Sequence, residues 1–177
     1  MSICIHIHFR HDFTDWGDYD RSAEYVQQAA AKLRIEYGFN EDQVKVWAST
    51  DADEEDYIEE MKQFNKEEGL EYTQEDEALD RKDFQCDRYG IHIEEPLFMT
   101  CRLENGFWDV WTTEPYSALF NPDSDIVEFI KRFVRTLDGK TAYVTEEMGG
   151  WSELGDPELS FDEWLEIHGS PHIIEVD

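Results

Sequence analysis

The possible folds are limited most by a hairpin signal near the middle of the chain. Two segments with the pattern of strands, residues 97–103 and 107–113, flank the dipeptide Asn105-Gly106. Asn-Gly between two such segments favours a tight turn in which both residues take positive φ, and this turn joins antiparallel strands. A sheet with such a hairpin at its centre differs from the all-parallel sheet of a doubly wound α/β fold.

Patterns before and after the hairpin predict interleaved strands and helices. Apolar residues alternate with polar ones in residues 3–9, which is typical of a strand with one buried and one solvated face. Apolar residues at intervals of three and four predict helices elsewhere. The predicted strands are residues 3–9, 44–48, 89–94 and 142–144, and the predicted helices are residues 21–37, 53–68, 123–138 and 160–168. Residues 70–88 are polar and poorly patterned, which predicts a loop.

Several of these helices carry recognisable end signals. Gly38 and Gly139 follow two of the helices and are predicted to end them, because glycine readily takes the left-handed conformation found after a helix. Ser160 and Glu163 have the spacing of a capping box, which predicts the start of the last helix.

The order of these elements predicts an α+β fold, with a mixed or antiparallel sheet and helices packed on it. A ferredoxin-like core with an acidic helical insertion satisfies that order. The length of 177 residues fits one domain, and the sequence contains no repeat or low-complexity linker, so we expect a single α+β domain over residues 1–177. An aromatic content of 14% favours a packed core over a disordered acidic chain.

Negative charge is concentrated in two segments. The chain has a formal net charge of −28, with 43 acidic and 15 basic residues. Residues 51–80 carry a net charge of −12 and residues 146–177 carry −10, whereas residues 1–50 and 81–145 carry −3 each. A chain this acidic lacks the basic face that contacts nucleic-acid phosphates, and it is not attracted to anionic membranes. A basic protein partner, by contrast, would be steered towards it at low salt.

The cysteines and the hydropathy pattern predict a cytoplasmic protein. Cys4, Cys86 and Cys101 are odd in number and widely spaced, which favours reduced thiols over a secreted disulfide framework. No apolar run reaches the ~18–20 residues that cross a bilayer. Residues 1–10 lack the basic and continuously apolar regions of a signal peptide. The sequence does not indicate an oligomeric state.

One cluster of potential metal ligands lies at His6, His8, His11 and Asp12. Residues two apart on a strand point to the same side, so His6 and His8 could share a metal ion with Asp12 as a further ligand. His-x-His resembles the first ligand pair of metal-dependent hydrolases. The amidohydrolase barrel needs a longer chain, however, and the third ligand of the metallo-β-lactamase pattern is missing here. We therefore expect a solvated strand face on which the histidines are incidental.

Motifs of other catalytic sites are absent from the sequence. There is no Gly-x-Ser-x-Gly nucleophile motif, no Gly-x-x-x-x-Gly-Lys phosphate loop and no Gly-x-Gly-x-x-Gly dinucleotide motif. Paired carboxylates carry little information in so acidic a chain, because acid–base chemistry depends on their individual environments. We expect a protein that is not an enzyme and has no bound cofactor. The alternative is a small metal-dependent enzyme or metal-binding protein that uses the histidine cluster.

The function predicted from these observations is neutralisation or sequestration of a basic protein partner, without direct binding to nucleic acid or membrane. Two biological forms fit: an immunity protein whose acidic face blocks a basic nuclease, and a nucleic-acid mimic whose carboxylates occupy a DNA-binding protein. Acidic side chains of the two charged segments would form the contact. The expected partner-binding residues are Asp53, Glu54, Glu55, Asp56, Glu59, Glu60, Glu67, Glu68, Glu75, Asp76, Glu77, Glu153, Asp156, Glu158, Asp162 and Glu163.

Overall fold

The structure is a computed structural model that describes residues 4–95, 97–146, 160–168 and 171–177. The strands are β1 (Cys4–Arg10), β2 (Val44–Ala48), β3 (Tyr89–Ile93), β4 (Met99–Leu103), β5 (Phe107–Pro115), β6 (Thr141–Glu146) and β7 (His172–Glu175). The helices are α1 (Tyr19–Tyr37), α2 (Asp51–Glu67), α3 (Gln74–Cys86), α4 (Ile126–Thr136) and α5 (Phe161–His168), with a 3-10 helix at Tyr116–Phe120. None of the described helices is long and apolar enough to cross a membrane.

The strands form one sheet in the order β2-β3-β4-β5-β1-β6-β7, and all neighbours in it are antiparallel. This confirms the predicted α+β class with helices packed on a sheet. Helix α1 connects β1 to β2, and three strands separate these two in the sheet. In a ferredoxin-like core, one strand lies between the two strands that the first helix connects. The sheet therefore retains this split β-α-β connection, but has two more strands between β1 and β2.

Helices α1 and α4 cover one face of the sheet and form the main core with it. Ile5, Ile7 and Phe9 alternate along β1 and are buried on this face, as the sequence pattern predicts. The fully buried Phe9 ring makes an edge-to-face contact with Phe133 of α4, with ring centroids 6.2 Å apart. Further core residues on the helices and strands include Val26, Leu33, Ile91, Cys101, Val110, Ile130 and Val144.

The central hairpin between β4 and β5 forms as predicted, but its turn differs. The Glu104 amide donates to the Phe107 carbonyl oxygen at 3.0 Å across the turn. Gly106 has a φ of 88°, whereas Asp138 is the one non-glycine residue with positive φ in the described part of the chain, so Asn105 has a negative φ. The turn therefore needs a left-handed residue at its second position alone, which is the requirement of a type II turn.

The prediction of a loop at residues 70–88 is wrong, because α3 occupies most of that segment. Thr73 and Asp76 form a capping box at its start. The Asp76 amide donates to Thr73 Oγ1 at 3.1 Å, and the Thr73 amide donates to Asp76 Oδ2 at 2.9 Å. These two hydrogen bonds satisfy amides that would otherwise be unpaired at the helix start, which stabilises a helix of weak apolar pattern.

Helices α2 and α3 form a helical hairpin beside the sheet. The rings of Tyr57 on α2 and Phe84 on α3 lie 5.6 Å apart. Trp47, in β2, donates from Nε1 to the carbonyl oxygen of Asp87 at 3.0 Å, which ties the end of α3 to the sheet. We call residues 51–86 the acidic hairpin.

The end of α4 also differs from its prediction. Asp138, with a φ of 62°, takes the left-handed position that the sequence predicts for Gly139. Glycine is needed at 139 for a different reason: a Cβ there would lie 2.5 Å from Val134 Cγ1 and 2.7 Å from Phe9 Cδ2. The chain thus passes too close to the core for any larger residue just before β6.

Candidate functional site

The second face of β1 is polar and buried. His6 and His8 are 2% and 0% exposed, so the expectation of a solvated strand face with incidental histidines is wrong. Side chains far along the sequence cover this face. Phe161 at the start of α5 stacks on Phe107 of β5 with ring centroids 4.6 Å apart, and the Phe107 ring lies 6.1 Å from that of His8. Helix α5 therefore packs on the sheet face opposite to α1 and α4.

The pairing of three strands places a carboxylate beside both histidines. His8 lies opposite Asp109 of β5, and Asp109 lies opposite Arg102 of β4. Asp109 Oδ1 is 2.6 Å from His6 Nε2 and 2.9 Å from His8 Nε2, and Arg102 pairs with Oδ2 of the same carboxylate. The Asp109 side chain is 4% exposed. We call His6, His8, Asp109 and Arg102 the buried histidine–aspartate cluster.

Burial and charge act against each other in this cluster. Burial lowers the pKa of His8 to about 4, against the opposing effect of its hydrogen bond with Asp109. Burial would raise the pKa of Asp109, but the His6 and Arg102 side chains and the hydrogen bond from His8 hold that pKa well below its ordinary value. At neutral pH, the cluster thus contains a neutral His8 and an ionised Asp109 that Arg102 stabilises.

A second buried carboxyl group lies next to the cluster. Glu104 follows β4 directly, is 4% exposed, and has its Oε1 3.9 Å from Arg102 Nε. Burial raises the pKa of Glu104 well above its ordinary value, although Arg102 opposes the shift. Within the described residues, Glu104 Oε1 has no hydrogen-bond partner. Arg102 thus faces one carboxylate and one carboxyl group that favours its protonated form.

His11 and Asp12 lie apart from this cluster. His11 Nε2 donates to the Glu104 carbonyl oxygen at 2.8 Å, and His11 Nδ1 accepts from the Phe13 amide at 3.2 Å, so the backbone engages both ring nitrogens. Asp12 is exposed and lines a separate cavity of about 580 Å³. Of the four ligands that the sequence suggests, the structure brings the first two together, and an aspartate from β5 joins them.

Sequence reasoning missed Asp109, although a weak signal for it exists. It lies between Trp108 and Val110 in a segment predicted as a strand, and aspartate is depleted in strands. Alternation places Asp109 on the face opposite to these two apolar neighbours. The pairing of β5 with β1, which brings Asp109 to His8, is not contained in either local pattern.

The predicted partner-binding residues are divided among the acidic hairpin, α5 and a segment that is not described. On α5, Asp162 pairs with Arg10 at 2.5 Å. Glu163 Oε2 accepts from the Ser160 amide at 2.8 Å, which confirms the predicted capping box. Both carboxylates therefore have partners within the protein. Three further residues lie outside the described residues: Glu153, Asp156 and Glu158.

Arg81 holds three of the predicted carboxylates within the acidic hairpin. It pairs with Glu54 at 3.0 Å, with Glu55 at 2.8 Å and with Glu77 at 2.8 Å. The hydrogen bonds from Arg81 lower the pKa of Glu55 and of Glu77. These side chains thus connect α2 to α3 and neutralise part of the charge locally. Two more predicted residues belong to the capping boxes of the two helices: Asp53 and Asp76.

The opposite side of α2 is exposed and acidic. Asp56, Glu60, Phe64 and Glu67 follow one another at intervals of four, four and three residues, which places them on one stripe of the helix. The three acids are exposed, and no ion pair engages them within the part of the chain that the structure describes. The Phe64 side chain is 54% exposed. We call these four residues the outer face of α2.

A cleft of about 700 Å³ lies between the acidic hairpin and the sheet. Tyr57 and Phe84 of the hairpin line one side of it, and His92, Thr100 and Arg102 of the sheet line the other. The strand register places these three sheet residues on the same face as the buried histidine–aspartate cluster. The acidic hairpin and α5, which belong to the two acidic segments, therefore lie on the same face of the sheet.

Comparison with known proteins adds little to this geometry. No protein-family profile and no curated protein match the chain. Among solved structures, the chain is similar to the Pseudomonas aeruginosa T6SS protein PA0821, with a TM-score of 0.29 and 10% sequence identity. The match covers 81% of this chain and 40% of that one, so this chain spans less than half of the length of the protein it matches. At this TM-score, the similarity carries no argument about function.

Proposed function

We propose that this protein binds a basic protein partner and that the outer face of α2 is the contact surface. The observation that carries the proposal is Phe64, which is 54% exposed among three acidic residues on one helical stripe. An aromatic anchor surrounded by charge has the composition of a protein–protein interface. The anchor supplies affinity, and the charges set the rate of association.

The charge distribution favours a cationic partner. The net charge of −28 attracts a basic protein over a distance of about 10 Å at moderate salt. Asp56, Glu60 and Glu67 have no ion-pair partner within the described residues, so a lysine or arginine of the partner would break no ion pair there. Glu67 accepts one hydrogen bond, from Gln63 Nε2 at 2.8 Å. The carboxylates that Arg81 holds are excluded from the proposed surface, because a partner would first have to break those ion pairs.

Two biological forms are compatible with this surface. An immunity protein would use it to block a basic nuclease, and a nucleic-acid mimic would use it to occupy a DNA-binding protein. The two forms share the acidic surface and differ in the partner, so the identity of the bound protein distinguishes them.

The test is affinity capture with the full-length protein as bait, in an extract of the cells that naturally produce it. We expect one basic protein to be retained stoichiometrically at low ionic strength and released at high ionic strength. The Glu60→Lys/Glu67→Lys variant should lose this protein. Phe64→Ala should weaken binding by at least about fivefold, because a central aromatic anchor typically contributes more than about 1 kcal/mol.

The matched control is the Glu41→Lys/Asp123→Lys variant. It changes the net charge by the same amount at two exposed acids that lie in loops outside the acidic hairpin. Equal loss of the partner in this control would show that overall charge, and not the outer face of α2, determines binding. The proposal of a basic partner fails if no basic protein is retained at low ionic strength, or if salt does not affect retention.

A further inference from the structure

The buried histidine–aspartate cluster brings three metal-ligating atoms together. His6 Nε2 and His8 Nε2 approach the same oxygen, Asp109 Oδ1, to 2.6 and 2.9 Å. The ligand atoms of the three residues all lie within 4.8 Å of one another. Ligands bound to a tetrahedral Zn²⁺ at its usual bond lengths are separated by roughly 3.4 Å. Small rotations of the three side chains would therefore place these atoms around one ion.

His6 carries buried polar atoms that the described residues do not satisfy. Its side chain is 2% exposed, and neither ring nitrogen has a hydrogen-bond partner within the described part of the chain. The Nε2 atom lies 2.6 Å from Asp109 Oδ1, at the distance of an ion pair, and the Nδ1 atom faces no hydrogen-bond partner among the described residues. Buried polar atoms are nearly always paired in folded proteins. A metal ion bound to both His6 Nε2 and Asp109 Oδ1 would move these two atoms slightly apart and serve as a partner for both.

Arg102 holds the carboxylate in the orientation that such a ligand requires. It pairs with Asp109 Oδ2, which leaves Oδ1 directed towards the two imidazoles. Groups that bind the far side of a metal ligand in this way fix its orientation. Two imidazole nitrogens and one carboxylate oxygen suit zinc and iron, whereas magnesium and calcium prefer oxygen ligands alone.

We propose that His6, His8 and Asp109 bind a divalent transition-metal ion, for which Zn²⁺ is the reference ion. The three side chains are between 0% and 4% exposed, so the ion would be enclosed by the protein. Enclosure favours an ion that stabilises the fold over one that meets a substrate. The competing explanation is that Asp109 accepts hydrogen bonds from both imidazoles and the cluster holds no ion. The proposal does not depend on partner binding at α2.

The test uses the full-length protein after removal of bound metal with a chelator. Zn²⁺ is titrated by calorimetry, and Co²⁺ is titrated by visible absorption, which reports on the ligands of the ion. We expect saturable binding of one ion per chain and a higher Tm in the presence of Zn²⁺. Absence of saturable binding of either ion, together with an unchanged Tm, would overturn the proposal.

Variants then test the ligands. His6→Gln and Asp109→Asn should each bind Zn²⁺ at least about 100-fold more weakly, since loss of a direct ligand exceeds the 10–100-fold effect of its supporting groups. His172→Gln replaces an exposed histidine and should bind like the unmodified protein. Unmodified affinity in both site variants would show that the ligands are assigned wrongly.

A measurement on the unmodified protein covers the case in which these variants do not fold. Histidine ring signals are followed by NMR during addition of Zn²⁺. The signals of His6 and His8 should shift together and saturate at one ion per chain. Shifts confined to other histidines, such as the exposed His172, would place the ion elsewhere and overturn the proposal.

Discussion

The two faces of the sheet are both buried, but different chemistry holds them together. On β1, Ile5, Ile7 and Phe9 pack against α1 and α4, whereas the intervening His6 and His8 face a carboxylate and an arginine. Burial of apolar surface is favourable without any particular partner. A buried polar group is tolerated only where a specific partner meets it. The apolar face therefore supplies stability. The polar face has side chains that can bind a ligand, but it tolerates fewer substitutions because each side chain needs its specific partner.

The largest effect is expected on the apolar face. Phe9→Ala removes a fully buried ring that contacts Phe133, so the free energy of unfolding should fall by about 3–5 kcal/mol. Urea unfolding followed by tryptophan fluorescence measures this change. Ile35→Ala, at an 84% exposed position of α1, is the control and should change stability by less than about 0.5 kcal/mol. A loss of less than about 1 kcal/mol for Phe9→Ala would contradict the assignment of this face as the main core.

On the polar face, Asp109→Asn should reduce stability by about 3 kcal/mol when measured in chelator. The substitution leaves Arg102 as a largely buried cation without its anionic partner. Replacing both residues, in Asp109→Leu/Arg102→Met, should lose less than the single variant because no charge remains unpaired. If Asp109→Leu/Arg102→Met is less stable than Asp109→Asn, the Asp109–Arg102 pair contributes more to the stability of the polar face than we expect.

The acidic hairpin, which lies against the polar face, should respond more weakly. Thr73→Ala removes the capping hydroxyl of α3 and should destabilise that helix by about 1 kcal/mol. Hydrogen exchange should accelerate for amides of α3 and stay unchanged in α1. Thr73→Ser keeps the capping oxygen and serves as the control. Uniform acceleration across both helices would mean that the hairpin unfolds only together with the sheet.

The smallest effect is a dependence on pH that arises at Glu104. Because its pKa is raised in the folded protein, its contribution to stability is complete below its unfolded pKa and is lost as the pH rises through the folded value. The Glu104→Gln variant imitates the protonated side chain. It should therefore gain stability relative to the unmodified protein between pH 5 and pH 8 in urea unfolding. A relative stability that is independent of pH, or that falls, would contradict burial of a protonated Glu104.

The sequence predicted elements well where a local pattern was sufficient. Gly38, with a φ of 68°, ends α1, and Ser160 begins α5, as their local signals indicate. The alternation of β1 identified its apolar face correctly. It could not show that the opposite face, with His6 and His8, is covered. Phe161 packs on that face against Phe107, and it lies more than 150 residues beyond β1 in the sequence.

Errors occurred where long-range contacts or an unusual residue decided the structure. Helix α3 was missed because its capping box uses Asp76 instead of glutamate and its apolar pattern is sparse. Arg81 stabilises that helix through Glu54 and Glu55, which belong to α2. Asp109 reaches the histidines only through the register of β5 on β1. A single sequence contains no local signal for such pairings.

The position of β1 in the sheet has a consequence for how the chain folds. Both neighbours of β1 come from later in the chain: His8 pairs with Asp109, 101 residues further on, and then with Tyr143 of β6. Closing loops of this length is slow, whereas α1 and the acidic hairpin form from local contacts. During synthesis, β1 therefore stays unpaired until most of the chain has left the ribosome. Assembly of the histidine–aspartate cluster depends on contacts across 101 residues, so we expect it to follow the formation of the local helices.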